Sequence, residues 1–435
     1  MSGAFICVAL IAFPVPKSGP PAPPVEMLIR LTVQPMAAPR PALRYQLLPE
    51  MREMQPGNPI PGYLKCMLDQ DFSSTQEVLG PAALKQADRA ARLDKPDWQI
   101  LLKAKSDGIG LLLPDLQKHR ALASALQGRF REEIAARRTD DALVTAKTMF
   151  ALSRHMNEHP TLIGGLVGIA MAQVAIVPLE ELLEVPGCPN LYWALTNLPH
   201  PFVNLEQGIQ GERLLIAAEL RDLSDTEPMT AAQLKKVIDH IEYIRRFDAD
   251  KLQERTRAYV NKRAADPKHL AAARDRLAES GIAEDKLARF PADQIILLDE
   301  KREYEVRRDD IMKFMTLPTW EAEERMGNLK ESKEPALLSF LGPSTIRVRR
   351  AQGRLEQRIA LLRHVEAVRM YAADHGGKPP ASLSDIGVPL PPDPFSGKPV
   401  RYSVEGTTAH IRGTPPKAER TSAPYNIHYE ITVRK

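Results

Sequence analysis

Sixteen consecutive residues from Leu162 to Val177, LIGGLVGIAMAQVAIV, carry no charge, and Gln173 is their one polar side chain. Such a stretch has to be hidden from water, either in a protein core or in a bilayer. Crossing ~30 Å of hydrocarbon takes about 20 mainly apolar residues. Here the run meets Pro178 and then the acidic PLEELLE, an amphipathic continuation suited to water. The pattern therefore predicts a buried spine helix, apolar on all sides, rather than a membrane span. Gly164 and Gly168 form a small-xxx-small pair that suits close helix packing.

Around this spine the chain is charged and helix-prone. Aromatic residues are sparse at 6%, while Ala, Leu and Arg are abundant, which favours helix over sheet. At 435 residues there is material for two or three domains. A net charge of +4 is too small at this length to argue for nucleic acid as a partner. The cysteines, Cys7, Cys66 and Cys188, are odd in number and far apart, so they suggest neither a disulfide framework nor a zinc site.

Four segments follow from these patterns. Residues 1–13 contain AFICVALIAF, an apolar run of signal-peptide length without a preceding basic region. Residues 14–67 hold 13 prolines from Pro14 to Pro61, which predicts an extended linker or arm. Within it Ile29, Leu31 and Val33 alternate as in one edge strand. Residues 68–335 are predicted as a helical body, with helices over 115–137, 142–158, 231–247, 251–263, 269–279 and 292–315. Thr230 and Gln233 form a capping box ahead of a stripe of Leu234, Val237, Ile241, Ile244 and Phe247. Residues 336–435 predict a small α+β domain. Its basic helix carries the stripe Leu361, Val365, Val368 and Ala372 and stops at Gly376-Gly377. A hairpin and a final strand, alternating Ile427, Tyr429, Ile431 and Val433, complete it. The expected fold class is mainly α, a solenoid-like helical-hairpin body with a helix-plus-antiparallel-sheet C-terminal domain.

Candidate chemistry is thin. His155-Met156-Asn157-Glu158-His159 matches H-x-x-E-H, in which two histidines four apart on a helix share a zinc and the glutamate acts as general base. Pro160 follows at once, a third ligand would have to come from Glu206 or Glu212, and two exposed histidines in a last helical turn account for the same residues. Tyr192 and Trp193, behind Asn190 as an N-cap, offer either a stacking platform for a ligand or a hydrophobic anchor for a short helix. Arg347, Arg349, Arg350, Arg354 and Arg358 form the densest basic patch. It would suit an anionic membrane surface, but no aromatic side chains interleave it for base stacking, and a solvated helix face paired with Glu356 is the plainer reading. No G-x-S-x-G elbow, G-x-G-x-x-G or P-loop occurs, and no cofactor is expected.

Three resemblances bear on this. The helix-turn-helix around Asp140-Asp141-Ala142-Leu143 resembles one tetratricopeptide-type unit, with Ala142 as the small contact residue and Arg in place of the glycine before the second helix. PALRYQLLPE, LLPDLQKHR, PTLIGGLVGIA, PGCPNLYWALTNLP and the ALLRHVEAVRMYAADHGGKPPASL ending are similar to a family of planctomycete bacterial proteins. That resemblance implies export and carries no activity. The C-terminal part, with Gly376-Gly377, Pro380-Ala381-Ser382-Leu383, Asp393 to Pro399 and Tyr402, resembles the globular lobe of type II secretion pseudopilins. It lacks the membrane helix that precedes the lobe there. Calcium binding by the Asp393 loop is the alternative to a plain Asp-Pro-Gly turn. The function these readings favour is a non-catalytic scaffold or interaction protein of the cell envelope or extracytoplasmic space, with a protein partner. The alternatives are a zinc-dependent hydrolase using His155, Glu158 and His159, and a pseudopilin-related secretion component.

Overall fold

The structure, a computed structural model, describes residues 25–67, 80–245, 255–327, 337–338 and 345–434. The apolar run at 4–13, with Cys7, lies outside them, as does Phe247 of the expected stripe. The chain opens with strand β1 (Met27–Val33), followed by helices α1 (Pro59–Lys65), α2 (Pro81–Ala90) and α3 (Leu101–Asp107). Then come α4 (Pro114–Ala135), α5 (Thr139–His155), α6 (Leu162–Leu183) and the short α7 (Tyr192–Thr196). Next are α8 (Glu206–Glu219), α9 (Ala231–Arg245), α10 (Thr256–Ala264), α11 (Pro267–Glu279), α12 (Glu284–Arg289) and α13 (Ala292–Met312). α14 (Thr319–Gly327) and α15 (Thr345–Asp374) precede β2 (Arg401–Glu405), β3 (Thr408–Arg412) and β4 (Ile427–Val433). The protein is mainly α, with one small mixed sheet.

The spine run forms α6. Thr161 caps it by accepting from the Gly164 amide at 3.1 Å, and α4, α5, α8, α15 and β1 pack around it. The helix is long and apolar enough to cross a membrane, yet most of it is buried within the protein. It runs on through Pro178 to Leu183, the expected amphipathic continuation, although Glu180 within it is buried and not solvated. Gly168 is where α5 closes on it: a Cβ there would stand 2.7 Å from Met156 Cβ, while Ser153 Oγ donates to the Gly168 carbonyl at 2.7 Å. α4 and α5 make the expected hairpin. Arg137 adopts φ 57 in its turn, a left-handed conformation that favours glycine, and Ala142 is fully buried.

Two hydrophobic cores divide the molecule. One runs from Leu31 to Leu205 and resumes from Met315 to Val433, so the spine hairpin and the C-terminal sheet share it. The other lies among Ile216 to Tyr304, with Leu337 and Leu338. The capping box of α9 forms, with Thr230 N donating to Gln233 Oε1 at 2.8 Å, and Leu234, Val237, Ile241 and Ile244 are buried in the second core.

The expected edge strand exists, but its partner is the other end of the chain. Sheet order is β1-β4-β3-β2, with β1 parallel to β4 in the register Met27↔Ile427 to Val33↔Val433, and the other pairs antiparallel. The segment expected as an extended arm is packed as well: Leu47, Ile60 and Tyr63 are buried. Proline excludes a central strand position, not burial. The sheet lies on α15, which was expected as a basic amphipathic helix and is instead buried around most of its length, between the sheet and the α6–α7 layer.

Candidate functional site

The basic patch on α15 divides into separate contacts. Arg358 is buried and donates to both oxygens of Glu180 on α6, at 2.9 and 2.7 Å, and to Gln173 Oε1 at 3.0 Å. The Tyr429 hydroxyl of β4 donates to the same carboxylate. Arg350 is held by Glu323 and by Glu419, the latter at 3.2 Å. Arg354 stands over the Tyr425 ring at 5.4 Å, and Arg347 is exposed. A solvated face paired with Glu356 is thus corrected: the acidic partners come from sequence-distant segments, and two of the five arginines, Arg349 and Arg358, are buried. Further along α15, fully buried Arg369 donates to Glu366 Oε1 at 2.7 Å and to the carbonyls of Cys188 and Gln34, clamping the N-terminal segment to the helix.

The histidine pair is also not placed as the zinc motif needs. α5 ends at His155, a 3-10 turn carries Met156 to Glu158, and Glu158 faces solvent. The Tyr63 hydroxyl lies 2.9 Å from His155 Nδ1, and the Thr161 hydroxyl lies 3.0 Å from His159 Nδ1. Both rings are buried, not exposed, and His159 and His119 pack on the Trp98 indole with centroids 4.7 and 4.9 Å away. Burial holds His155 and His159 down to about 4. Glu212 accepts from the Leu162 amide at the start of α6 at 3.2 Å, and Glu206 opens α8. Among the described residues no group of three or more His, Cys, Asp or Glu side chains is placed to hold a metal ion.

Tyr192 is buried, with its hydroxyl donating to the Pro389 carbonyl, and Trp193 meets it edge to face. Asn190 Oδ1 accepts from Tyr192 N at 3.0 Å while its amide group donates to the Glu366 carbonyl at 2.8 Å. The pair anchors α7 and offers no open platform. At the Asp393 loop, the carboxylate accepts from the amides of Phe395, Ser396 and Thr414 and from Gln357 Nε2. Those four N–H donors account for this buried acid as the organiser of a turn.

What the structure does form is a cleft of about 1140 Å³. Its walls are the 195–205 loop with α8, and the end of α13 with the turn to Pro318. Its floor is α15 from Arg349 to Arg363, and its rim is the Pro389–Pro394 segment. Leu195, Leu198, Ile209, Met312, Met315 and Ile359 make the lining largely apolar. On the floor, Glu356 accepts from the Phe202 amide at 2.7 Å and pairs with His200 Nδ1 at 2.5 Å, and Gln352 Nε2 donates to the Val203 carbonyl at 2.6 Å. These bonds tie the 200–203 loop to α15, and the bond to Glu356 raises the His200 imidazole above its ordinary range.

Arg349 is the unusual member. Its guanidinium donates to Gln352 Oε1 and, at 2.5 Å, to the Leu317 carbonyl, both neutral acceptors, and its buried Nε has no partner. Burial pushes it below the ordinary arginine range, with Glu356 opposing only through space. Arg363, at the other end of the floor, also has a buried Nε without a partner. The sequence marks Arg349 only as part of a patch and Glu356 only as its pairing acid, and it gives His200 and Arg363 no role. The available signal was the spacing of seven between Arg349, Glu356 and Arg363, which puts all three on one face of a helix. Comparison with protein-family models, with curated proteins and with solved structures finds no match.

Proposed function

We propose that this protein works by binding, as a non-catalytic scaffold or interaction protein of the cell envelope or extracytoplasmic space, with the cleft over α15 as the seat of its partner. The observation that carries this reading is the state of the cleft's best-placed base: Glu356 is spent on the Phe202 amide and on His200. Neither serine nor cysteine occurs among the described residues of the lining. A largely apolar concavity with a few convergent polar groups is the ordinary form of a binding site. The extracytoplasmic setting rests on the apolar run at 4–13.

A photo-crosslinking residue at Thr316, exposed in the cleft wall, tests the reading against the same residue at Leu102, an exposed leucine on α3. The reading expects a discrete adduct in source cells from position 316 and none from 102; the reverse pattern would remove the cleft from the account.

A further inference from the structure

We infer that the cleft takes a small amphipathic carboxylate, its head on the Arg349 guanidinium and its apolar body along the lining formed by α8, α13 and the middle of α15. The inference goes beyond the scaffold reading by giving the cleft a ligand of its own.

Arg349 is more than nine-tenths buried (7% exposed) and lines the cleft. A buried cation is ordinarily paired, because removing it from water costs several kcal/mol. Here the two acceptors on the guanidinium are neutral and the buried Nε–H has no acceptor among the described residues. Of the acids in the lining, Glu356 is spent on Phe202 and His200, Asp393 on its own turn, and Asp309 on Arg308 and Arg213, while Glu206 is exposed at the start of α8. An arriving anion would therefore complete Arg349 without first breaking an ion pair.

Head-group chemistry follows from how many cations can reach it. Of the other cations in the lining, Arg213 is paired with Asp309, Lys313 with Asp310 and His200 with Glu356, and Arg363 lies fourteen residues further along the helix, about 21 Å away at 1.5 Å per residue. One guanidinium fork matches a singly charged, planar carboxylate. A phosphate monoester, at about −1.5 to −2, would leave charge uncompensated.

The body of the ligand follows from the lining. Leu195, Leu198, Ile209, Met312, Met315 and Ile359 offer apolar surface beside the charge. A volume of about 1140 Å³ lies just above the usual range of small-molecule sites and leaves room for a chain-like body.

The test uses the full chain and decanoate, titrated calorimetrically below its micelle concentration, with decyltrimethylammonium as the cation of the same chain length. Saturable binding of one decanoate per chain is expected, weakened about tenfold or more by Arg349→Gln, because a charge-assisted bond is lost. Arg354→Gln on the same helix should leave it unchanged, and the ammonium should not bind. Should Arg349→Gln fail to fold, Ile209→Trp, which intrudes on the apolar lining, is expected to weaken binding about tenfold or more. Equal binding of the ammonium, unchanged affinity in Arg349→Gln, or no saturable decanoate binding would overturn the inference. So would binding of a short peptide ending in a leucine carboxylate where decanoate fails. A partner crosslinked at position 316 without decanoate binding would sink this inference and spare the scaffold reading. Decanoate binding without such a partner would do the reverse.

Discussion

The side-chain amide of Gln127 on α4 donates to the carbonyl of Val174 on α6 at 2.8 Å, the acceptor that Pro178 leaves without its helical donor. A proline inside a helix removes the bond to the residue four before it, and a buried carbonyl without a donor is costly. The neighbouring helix supplies the missing N–H, and α6 continues to Leu183. Gln127→Ala should cost about 1–2 kcal/mol in urea unfolding. In a Pro178→Ala background, where the backbone donor is restored, the same change should cost less. Equal costs in both backgrounds would separate the two residues energetically.

The ion pair of Glu180 and Arg358 joins the spine, the central helix and the last strand. Removing one partner strands a buried charge, so Glu180→Ala should destabilise by about 3–5 kcal/mol. Glu180→Leu combined with Arg358→Met should recover most of that loss, since a well-packed apolar pair often replaces a buried ion pair at little cost. Unfolding midpoints of the single and double variants decide it.

Acid should destabilise the protein through its buried histidines. His155 and His159 are held to about 4 by burial, with the charge of His119 adding in the same direction and Arg154 acting also on His155. His364, buried on α15, is held to about 4 as well, again chiefly by burial. In the unfolded chain each titrates near 6.5. Between those values the unfolded state binds more protons, so the stability present above pH 6.5 is lost as pH falls toward 4. An upper figure is about 3 kcal/mol per ring. His155→Gln should make the pH slope of stability between 6.5 and 4 shallower, as read from urea midpoints across that range. An unaltered slope would mean that His155 is not one of the groups responsible.

His200 has the opposite sign. Its bond to Glu356 raises the imidazole, so this group's contribution is present below pH 6.5 and fades as pH rises through the folded value. NMR titration should find the His200 ring lowered in Glu356→Gln, together with loosening of the 200–203 loop that Glu356 also holds through the Phe202 amide.

Elements with a local period were legible in the sequence, and those defined by distant partners were not. The stripe of α9, the alternation of β4 and the apolar run of α6 each repeat over neighbouring residues, and all three form. The alternation at Ile29, Leu31 and Val33 announced a strand, but its pairing with residues 400 positions away has no local signature. Arginine hid the most. Arg349 and Arg358 looked like part of a solvated face because their acceptors, Leu317 and Glu180, are remote in sequence. The cleft was unreadable for the same reason: it lies between segments that meet only in the folded chain.

The claim that the cleft is the working surface is tested most directly by blocking it. With the crosslinking residue at Thr316, the account predicts an adduct in source cells from the otherwise unaltered chain. It also predicts a weakened adduct when Ile209→Trp partly fills the cleft, with the unfolding midpoint retained. Undiminished crosslinking in the filled variant, or an adduct only from Leu102, would contradict it.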